Sequence, residues 1–202
     1  MEKPVGDRRI GVFGGTFDPP HIGHLVMATE VYEALGLERI LMVPAGEPWQ
    51  KTSAGDVSPA DARLAMIEAA VRDVDGLEVS TIEVDRSGPT YSVDTLRELA
   101  ADAPDAELFL VLGADAAAGL DTWQDWQALP DLCRLVVVDR PGESESVPAG
   151  FDPLRVSAPR LDISSTDIRE RVASGRAVRF LVPDDVIAVI EDLALYRARP
   201  LL

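Results

Sequence analysis

The chain has 202 residues, of which 35 are acidic and 19 basic, so its formal net charge is −16. This balance excludes general binding to nucleic acid, which requires a basic surface that displaces counterions from phosphates. With 47% hydrophobic and 27% charged residues, the composition is that of a globular protein long enough to bury one core, and we expect a single domain over residues 1–202.

Cysteine usage and the length of the apolar runs indicate the cellular setting. Cys133 is the only cysteine, so an intrachain disulfide is impossible and thiolate metal clusters are excluded. The first nine residues lack the apolar stretch of a signal peptide, and runs such as 108–112 are too short to cross a bilayer. We therefore expect a cytoplasmic protein with no membrane partner.

Short runs rich in Val, Ile and Leu alternate with longer segments of helical period, which is typical of parallel strands joined by crossover helices. The predicted strands cover residues 10–13, 40–43, 77–80, 108–112 and 135–138. The predicted helices cover 21–35, 59–71 and 92–101, and the first should end at Gly36. We expect Asp61 and Arg63 to keep the outer face of the second helix in solvent. The pattern predicts an α/β fold: a Rossmann-like open parallel sheet with helices on both faces.

The last quarter of the chain is predicted to be helical. Residues 140–153 contain glycine and proline turns and should form an exposed connection. Beyond them, Ser164 begins a helix that Gly175 ends, and Pro183 begins a last helix that runs to Leu193. A small helical part over about residues 164–202 should therefore follow the sheet, whose ligands are expected at the carboxyl ends of its strands.

The most informative segment follows the first predicted strand, residues 14–24, with the sequence GGTFDPPHIGH. Paired glycines allow a ligand to approach the backbone closely, and the helix that begins there offers free N–H groups and a positive dipole end to an anion. His21 and His24 are three residues apart, so their rings should project from one face, about 5 to 6 Å apart. Gly23 between them should leave room for a substrate.

The histidine pair is also compatible with two simpler roles. A catalytic zinc site needs a third protein ligand, and the chain has no other histidine, although carboxylates could complete such a site. The two could also be ordinary histidines at a helix start. The common phosphate-loop and dinucleotide-binding glycine patterns are both absent, so the segment predicts a different kind of nucleotide site.

Five blocks of the sequence resemble, in order, one known family. They are residues 14–24, Pro48-Trp49-Gln50-Lys51, residues 83–96 (EVDRSGPTYSVDTL), Gly113-Ala114-Asp115 with Trp123, and Ile163-Ser164-Ser165-Thr166 with Arg169. The chain resembles the His-x-Gly-His nucleotidyltransferase superfamily and, within it, the bacterial nicotinate-nucleotide adenylyltransferases. That resemblance implies transfer of AMP from ATP to nicotinate mononucleotide in NAD biosynthesis, with Mg²⁺ accompanying ATP.

The resemblance also implies an ATP site. Its residues would be Gly14, Gly15, Thr16, Phe17, His21, His24, Gly113, Asp115, Ser164, Ser165, Thr166 and Arg169. The implied catalytic residues are His21, His24 and Lys51: the histidines donate hydrogen bonds to the α-phosphate, while Lys51 and Arg169 balance its charge. Asp115 would hold ribose hydroxyls or the metal. The alternative for Lys51 is a solvated loop lysine, and Ser164 would cap a helix in any protein.

The implied acceptor site consists of Lys51, Thr90, Tyr91, Ser92, Trp123 and Gln124. Trp123 would stack on the pyridine ring, whereas its alternative, shared by Trp126, is ordinary packing at a helix start. Hydroxyl and amide donors near Ser92 favour the carboxylate of nicotinate over the amide of nicotinamide. Ser92 stands where the family commonly has threonine, and Gln50 stands where it often has histidine.

Three alternative functions accompany this interpretation. A relative with the same chemistry, such as a phosphopantetheine or cytidylyl transferase, would use a different acceptor. A fragment of a tRNA synthetase is disfavoured by the short chain and its acidic charge. A non-catalytic ATP sensor is disfavoured because binding alone does not require groups aimed at a reacting phosphorus. Self-association into a homo-oligomer is possible for this family.

Overall fold

The computed structural model describes residues 8–48, 57–139 and 146–197. Its strands form one parallel sheet in the order β3-β2-β1-β4-β5-β6. They are β1 (Arg8–Gly15), β2 (Arg39–Pro44), β3 (Leu77–Val79), β4 (Ala106–Gly113), β5 (Arg134–Asp139) and β6 (Leu154–Ser157). In the centre of the sheet, Ile10 of β1 lies beside Leu108 of β4 and Arg39 of β2.

The helices that connect these strands lie on both faces of the sheet. They are α1 (Ile22–Leu35), α2 (Ala60–Val71), α3 (Ser92–Asp102), α4 (Ala114–Ala118), α5 (Leu129–Leu132), α6 (Ser165–Ala173) and α7 (Asp184–Asp192). Helix α1 ends where expected, because Gly36 adopts a left-handed conformation with φ 55°. The predicted parallel sheet with helices on both faces is confirmed.

Alternation along each strand divides the core into two layers. In β4, Phe109 and Val111 face the layer that contains α1, α2, α6 and α7, while Leu108, Leu110 and Leu112 face the layer of α3, α4 and α5. Since both faces are covered, the central strands β4 and β5 are apolar at nearly every position. Among the described residues, no helix combines the length and the apolar character that crossing a membrane would require.

The prediction for Arg63 was wrong. Asp61 is exposed as expected, but Arg63 is only 1% exposed and is among the largest fully buried side chains of the described residues. Helix α2 packs against the sheet and also against α7, so most of its surface is covered. Burial of the guanidinium is possible because several backbone carbonyls surround it.

The order of the strands locates the crevice where a ligand can enter. From β1 the chain first builds β2 and β3 on one side and then β4, β5 and β6 on the other, so the direction reverses between β1 and β4. In open α/β sheets, ligands bind outside the carboxyl ends of the strands at this reversal. The glycines that end β1 and β4, Gly15 and Gly113, lie at that place.

Candidate active site

The two histidines stand at the first turn of α1. His21 is the N-cap residue with extended backbone (φ −143°, ψ 169°), and its N–H donates to Nδ1 of His24 at 3.2 Å. Because Nδ1 of His24 accepts this bond, the neutral ring carries its proton on Nε2. The two rings are stacked, with centroids 3.7 Å apart and planes inclined by 23°. They are therefore closer together than their spacing along a helix predicted.

His21 is uncharged at neutral pH. Only 7% of the residue is exposed, and burial lowers the pKa of its imidazole to about 4. Stacking on His24 is compatible with a neutral ring, since two imidazolium ions at this separation would repel each other. The pair can therefore contact an anion through hydrogen bonds and the helix terminus, without a full positive charge on His21.

Two neighbouring residues fix the positions of these rings. A Cβ atom on Gly23 would lie 3.0 Å from Nδ1 of His21, so the glycine leaves room for that ring. Its expected role, room for a substrate, stays a prediction. Phe17 is 2% exposed and stands edge-on to His24, with centroids 5.1 Å apart. A Cβ on Gly15 would meet the ring of Phe17 at 2.9 Å. Phe17 thus supports His24 from the core side.

A cavity of about 350 Å³ opens beside the histidines, and we call it the histidine cavity. It is lined by His21, Gly23, His24, Met27, Gly113, Ala114, Asp115, Val138, Asp139, Ala158, Pro159, Leu161, Ile163, Ser164, Ser165 and Thr166. Seven residues predicted for the ATP site meet here although they come from three distant parts of the chain: His21, His24, Gly113, Asp115, Ser164, Ser165 and Thr166. Phe17 and Arg169 are outside its lining.

The start of α6 is joined to the loop that follows β1. Ser164 accepts a hydrogen bond from the N–H of Asp167 at 3.1 Å, which confirms its role as a helix cap. Ser165 Oγ donates to the carbonyl of Pro19 at 2.9 Å. Arg169 donates to the carbonyl of Asp18 at 2.8 Å. These bonds hold the N-terminus of α6 against the histidine cavity.

A second cavity of about 240 Å³ lies beside the end of β1, and we call it the tryptophan cavity. It is lined by Gly14, Gly15, Thr16, Ala45, Pro48, Glu83, Thr90, Ser92, Leu110, Leu112, Ala116 and Trp123. Thr90, Ser92 and Trp123 come together as the acceptor prediction required. Residues 14–16, predicted for ATP, line this cavity and are absent from the lining of the histidine cavity.

The remaining predicted residues lie elsewhere. Tyr91 and Gln124 are absent from the lining of the tryptophan cavity and line a separate, open depression. Trp123 lines both this depression and the tryptophan cavity. Lys51, together with Gln50, lies outside the described residues.

Sequence reasoning assigned no role to Glu83, which the structure places in the tryptophan cavity. Its side chain is buried, with the residue 7% exposed, and it accepts a hydrogen bond from Thr95 Oγ1 at 2.7 Å. Burial raises the pKa of its carboxyl group, and the bond from Thr95 partly opposes this effect. The only sequence feature that could have pointed to Glu83 was a lone carboxylate a few residues after a strand. Such carboxylates are too common to identify a site residue.

The histidine cavity holds few groups that could ligate a metal ion. Within residues 8–48, 57–139 and 146–197, no group of three or more His, Cys, Asp or Glu side chains is arranged to hold one. Two carboxylates line the cavity, and that of Asp139 is bound by Arg155 at 2.8 Å, whereas Asp115 is exposed. Mg²⁺ is usually held by one or two carboxylates together with water and substrate phosphates. The donors present fit an ion that is bound mainly by nucleotide phosphates.

Comparisons with known proteins agree with this architecture. The family model described as cytidylyltransferase-like matches residues 12–171. A curated relative from Leifsonia xyli, named "Probable nicotinate-nucleotide adenylyltransferase", is 47% identical over 193 residues, which are 94% of each chain. A relative of the same name from Streptomyces coelicolor is 48% identical over 187 residues, covering 91% of this chain and 98% of the relative.

A solved structure shares the fold. Plasmodium falciparum nicotinic acid mononucleotide adenylyltransferase, complexed with NaAD, superposes with a TM-score of 0.78 at 17% sequence identity, covering 94% of this chain and 97% of that one. The family model, the identities near 47% and the near-complete coverage lead to one assignment. The chain belongs to the cytidylyltransferase-like family and, within it, to the nicotinate-nucleotide adenylyltransferases.

Proposed function

We propose that this chain transfers the adenylyl group of ATP to nicotinate mononucleotide, forming nicotinate adenine dinucleotide and pyrophosphate. One observation carries the proposal: a single loop borders two cavities, with residues 14–16 in the tryptophan cavity and His21 and His24 in the histidine cavity. Two substrates bound in these cavities would meet at this loop. The names of the relatives support the identity of the acceptor.

The reaction needs positioning more than protein nucleophiles. A phosphate oxygen of nicotinate mononucleotide forms a bond to the α-phosphorus of ATP, while the bond from that phosphorus to the pyrophosphate oxygen breaks. The attacking oxygen is already ionised, so no proton has to be removed from it. Catalysis therefore depends on bringing the two phosphates together and on neutralising charge at the α-phosphate.

The histidine cavity supplies the groups that contact ATP. His24 donates from Nε2 to an α-phosphate oxygen, and the N-terminus of α1 adds a positive dipole end there. The amides at Ser165 and Thr166 and the hydroxyl of Thr166, at the N-terminus of α6, bind the outer phosphates. Arg169 adds charge, and Asp115 holds ribose hydroxyls. Asp115 and the ATP phosphates would hold Mg²⁺, which would supply charge neutralisation at the phosphates.

The tryptophan cavity receives the acceptor. The indole of Trp123 stacks on the pyridine ring, and the start of α3 at Thr90 and Ser92 presents hydroxyls and amides to the nicotinate carboxylate. Because these groups are mainly donors, the acid should be preferred over the amide. Lys51 completes the site in this proposal. We also propose a cytoplasmic location, which the single cysteine supports. The proposal includes no nucleic-acid partner, which the net charge of −16 supports. Self-association stays a prediction.

The first experiment measures Mg²⁺-dependent release of pyrophosphate from ATP with three acceptors supplied separately: nicotinate mononucleotide, nicotinamide mononucleotide and phosphopantetheine. Preferential turnover of nicotinate mononucleotide is the expected result. Turnover with phosphopantetheine alone would retain the histidine cavity as the ATP site and overturn the acceptor assignment. No release of pyrophosphate with any of the three acceptors, although ATP binds, would favour a non-catalytic sensor.

A matched pair of variants tests the stacking role of Trp123. Trp123→Ala should raise KM for nicotinate mononucleotide about tenfold, corresponding to about 1.4 kcal/mol of stacking, and should leave KM for ATP unchanged. Trp126→Ala is the control, because Trp126 stacks on Phe151 with centroids 6.1 Å apart and is outside the tryptophan cavity. Equal effects of the two variants on KM for the acceptor would exclude a specific role for Trp123.

A further inference from the structure

Arg63 is a buried cation that makes hydrogen bonds to the backbone of the active-site loops. Within the described residues, every hydrogen bond that its guanidinium donates goes to a backbone carbonyl. Nε donates to Ser58 at 3.0 Å, Nη1 donates to Thr16 at 3.1 Å and to Ala45 at 2.5 Å, and Nη2 donates to Gly46 at 2.9 Å. One side chain therefore satisfies four carbonyls from three parts of the chain.

Two of the four bonded carbonyls belong to residues that line the tryptophan cavity. Thr16 and Ala45 both line it, the first in the loop after β1 and the second in the loop after β2. The two loops also contact each other, because the N–H of Ala45 donates to the carbonyl of Gly15 at 2.9 Å. Arg63 itself is absent from the lining of both cavities, so it acts on the site through these loops.

The loop after β3 packs against the loop after β2 at Gly46. A Cβ atom on Gly46 would lie 2.1 Å from the carbonyl oxygen of Glu83, which means that the two backbones are in direct contact. The N–H of Thr90 donates to the carbonyl of Glu47 at 3.3 Å. The position of Gly46, set by Arg63, is thus transmitted to the loop that carries Glu83 and Thr90.

The arrangement requires a guanidinium. Its N–H groups point outward from one rigid plane, whereas a lysine ammonium is a single point with three donors. Burial lowers the pKa of Arg63, while the nearby carboxylates of Asp18 and Glu83 raise it, and a guanidinium stays protonated in proteins. A planar group of this size can bridge carbonyls on two loops, and lysine cannot reach all of them from one position.

We propose that Arg63 is a positioning residue for adenylyl transfer: it holds the loops after β1 and β2 in one relative position, so that an acceptor in the tryptophan cavity faces the α-phosphate of ATP. The inference rests on the proposed function. It differs from a role in stability alone, because it requires catalysis to fail in a protein that is still folded.

The test compares Arg63→Lys and Arg63→Met with Arg72→Lys. Arg72, at the end of the same helix, is exposed and pairs with Asp185 at 3.1 Å, so its lysine variant is a matched control. Arg63→Lys keeps the charge and loses the planar fork. We expect kcat with nicotinate mononucleotide to fall about 10- to 100-fold, measured well below the Tm, while the Kd for ATP changes less than about threefold. Arg63→Met should lower kcat at least as much, and Arg72→Lys should have the kcat of the wild type.

Hydrogen exchange provides a measurement that does not depend on activity. The amides of Ala45 and Ser58 are hydrogen-bonded across the loops, to Gly15 and to the carboxylate of Asp18. Both should exchange faster in Arg63→Lys and should be unchanged in Arg72→Lys.

The outcomes separate the possible errors. If the wild type fails to adenylylate nicotinate mononucleotide, the proposed function fails, and the exchange rates alone decide whether Arg63 positions the loops. A variant Arg63→Lys with wild-type kcat overturns the positioning role, whether or not its Tm is lower. Unchanged exchange at Ala45 overturns it as well.

Discussion

Replacing Gly23 by alanine should lower catalysis without lowering stability. The added Cβ would lie 3.0 Å from Nδ1 and 3.1 Å from Cε1 of His21, closer than almost all real contacts of a Cβ, so the ring must move by a few tenths of an ångström. The ring of His21 is stacked on His24 at 3.7 Å, so the displacement disturbs the pair. A misplacement of 1 Å can reduce a rate about 100-fold, which makes about tenfold a reasonable expectation for kcat here. Alanine also favours the helix by up to about 1 kcal/mol relative to glycine, which offsets the steric strain.

The assay combines steady-state release of pyrophosphate with thermal unfolding. Gly119→Ala is the control, because the nearest atoms to a Cβ at Gly119 are 4.0 Å away, an ordinary van der Waals distance. A Gly23→Ala enzyme with wild-type kcat would refute the idea that the glycine exists to seat His21. A fall in kcat that appears only together with a large fall in Tm would assign the effect to folding.

Three further predictions concern the same loop. His24→Ala removes the Nε2 donor, so kcat should fall about 10²- to 10³-fold in the pyrophosphate assay; undiminished turnover would show that the mechanistic assignment is wrong. Because the pKa of folded His21 is about 4 against 6.5 in the unfolded chain, the unfolded state binds more protons between these values. The free energy of unfolding should therefore fall by about 3 kcal/mol from pH 6.5 to 4. Urea titrations at several pH values should show that this free energy depends less on pH in His21→Asn than in the wild type; an equal pH dependence would contradict this. Tyr196→Phe removes the phenol that donates to buried Asp18 at 2.6 Å, which should cost about 1.5 to 3 kcal/mol and lower Tm by about 3 to 12 °C; an unchanged Tm would show that the bond adds nothing to stability.

The central strands could be predicted from the sequence because both of their faces are buried. β4 and β5 are apolar at nearly every position, so their periodicity identified them without knowledge of their neighbours. β6 was missed: it is a short edge strand in which Val156 is the only buried residue. Helices α4 and α5 are only five and four residues long, and such single turns depend on tertiary packing for their stability.

The site was predictable in its parts and less so in its geometry. The proximity of His21 and His24 followed from their separation of three residues, but the stacking at 3.7 Å depends on the extended backbone of His21 at the N-cap. Arg63 was placed in solvent because a charged residue in a helix is usually exposed. Its four carbonyl partners lie in loops up to 47 residues away, which no local pattern could reveal.

The sequence by itself determined the alternation of strands and helices and the chemistry of the segment from Gly14 to His24, because both depend on neighbouring residues. Periodicity, turn residues and a contiguous motif are local properties of a chain. Only the tertiary structure decided which distant groups meet: Ser165 with Pro19 across 146 residues, and Tyr196 with Asp18 across 178. The physical reason is that buried polar groups must find hydrogen-bond partners, and for the loops of this site those partners approach only when the sheet and its helices have come together.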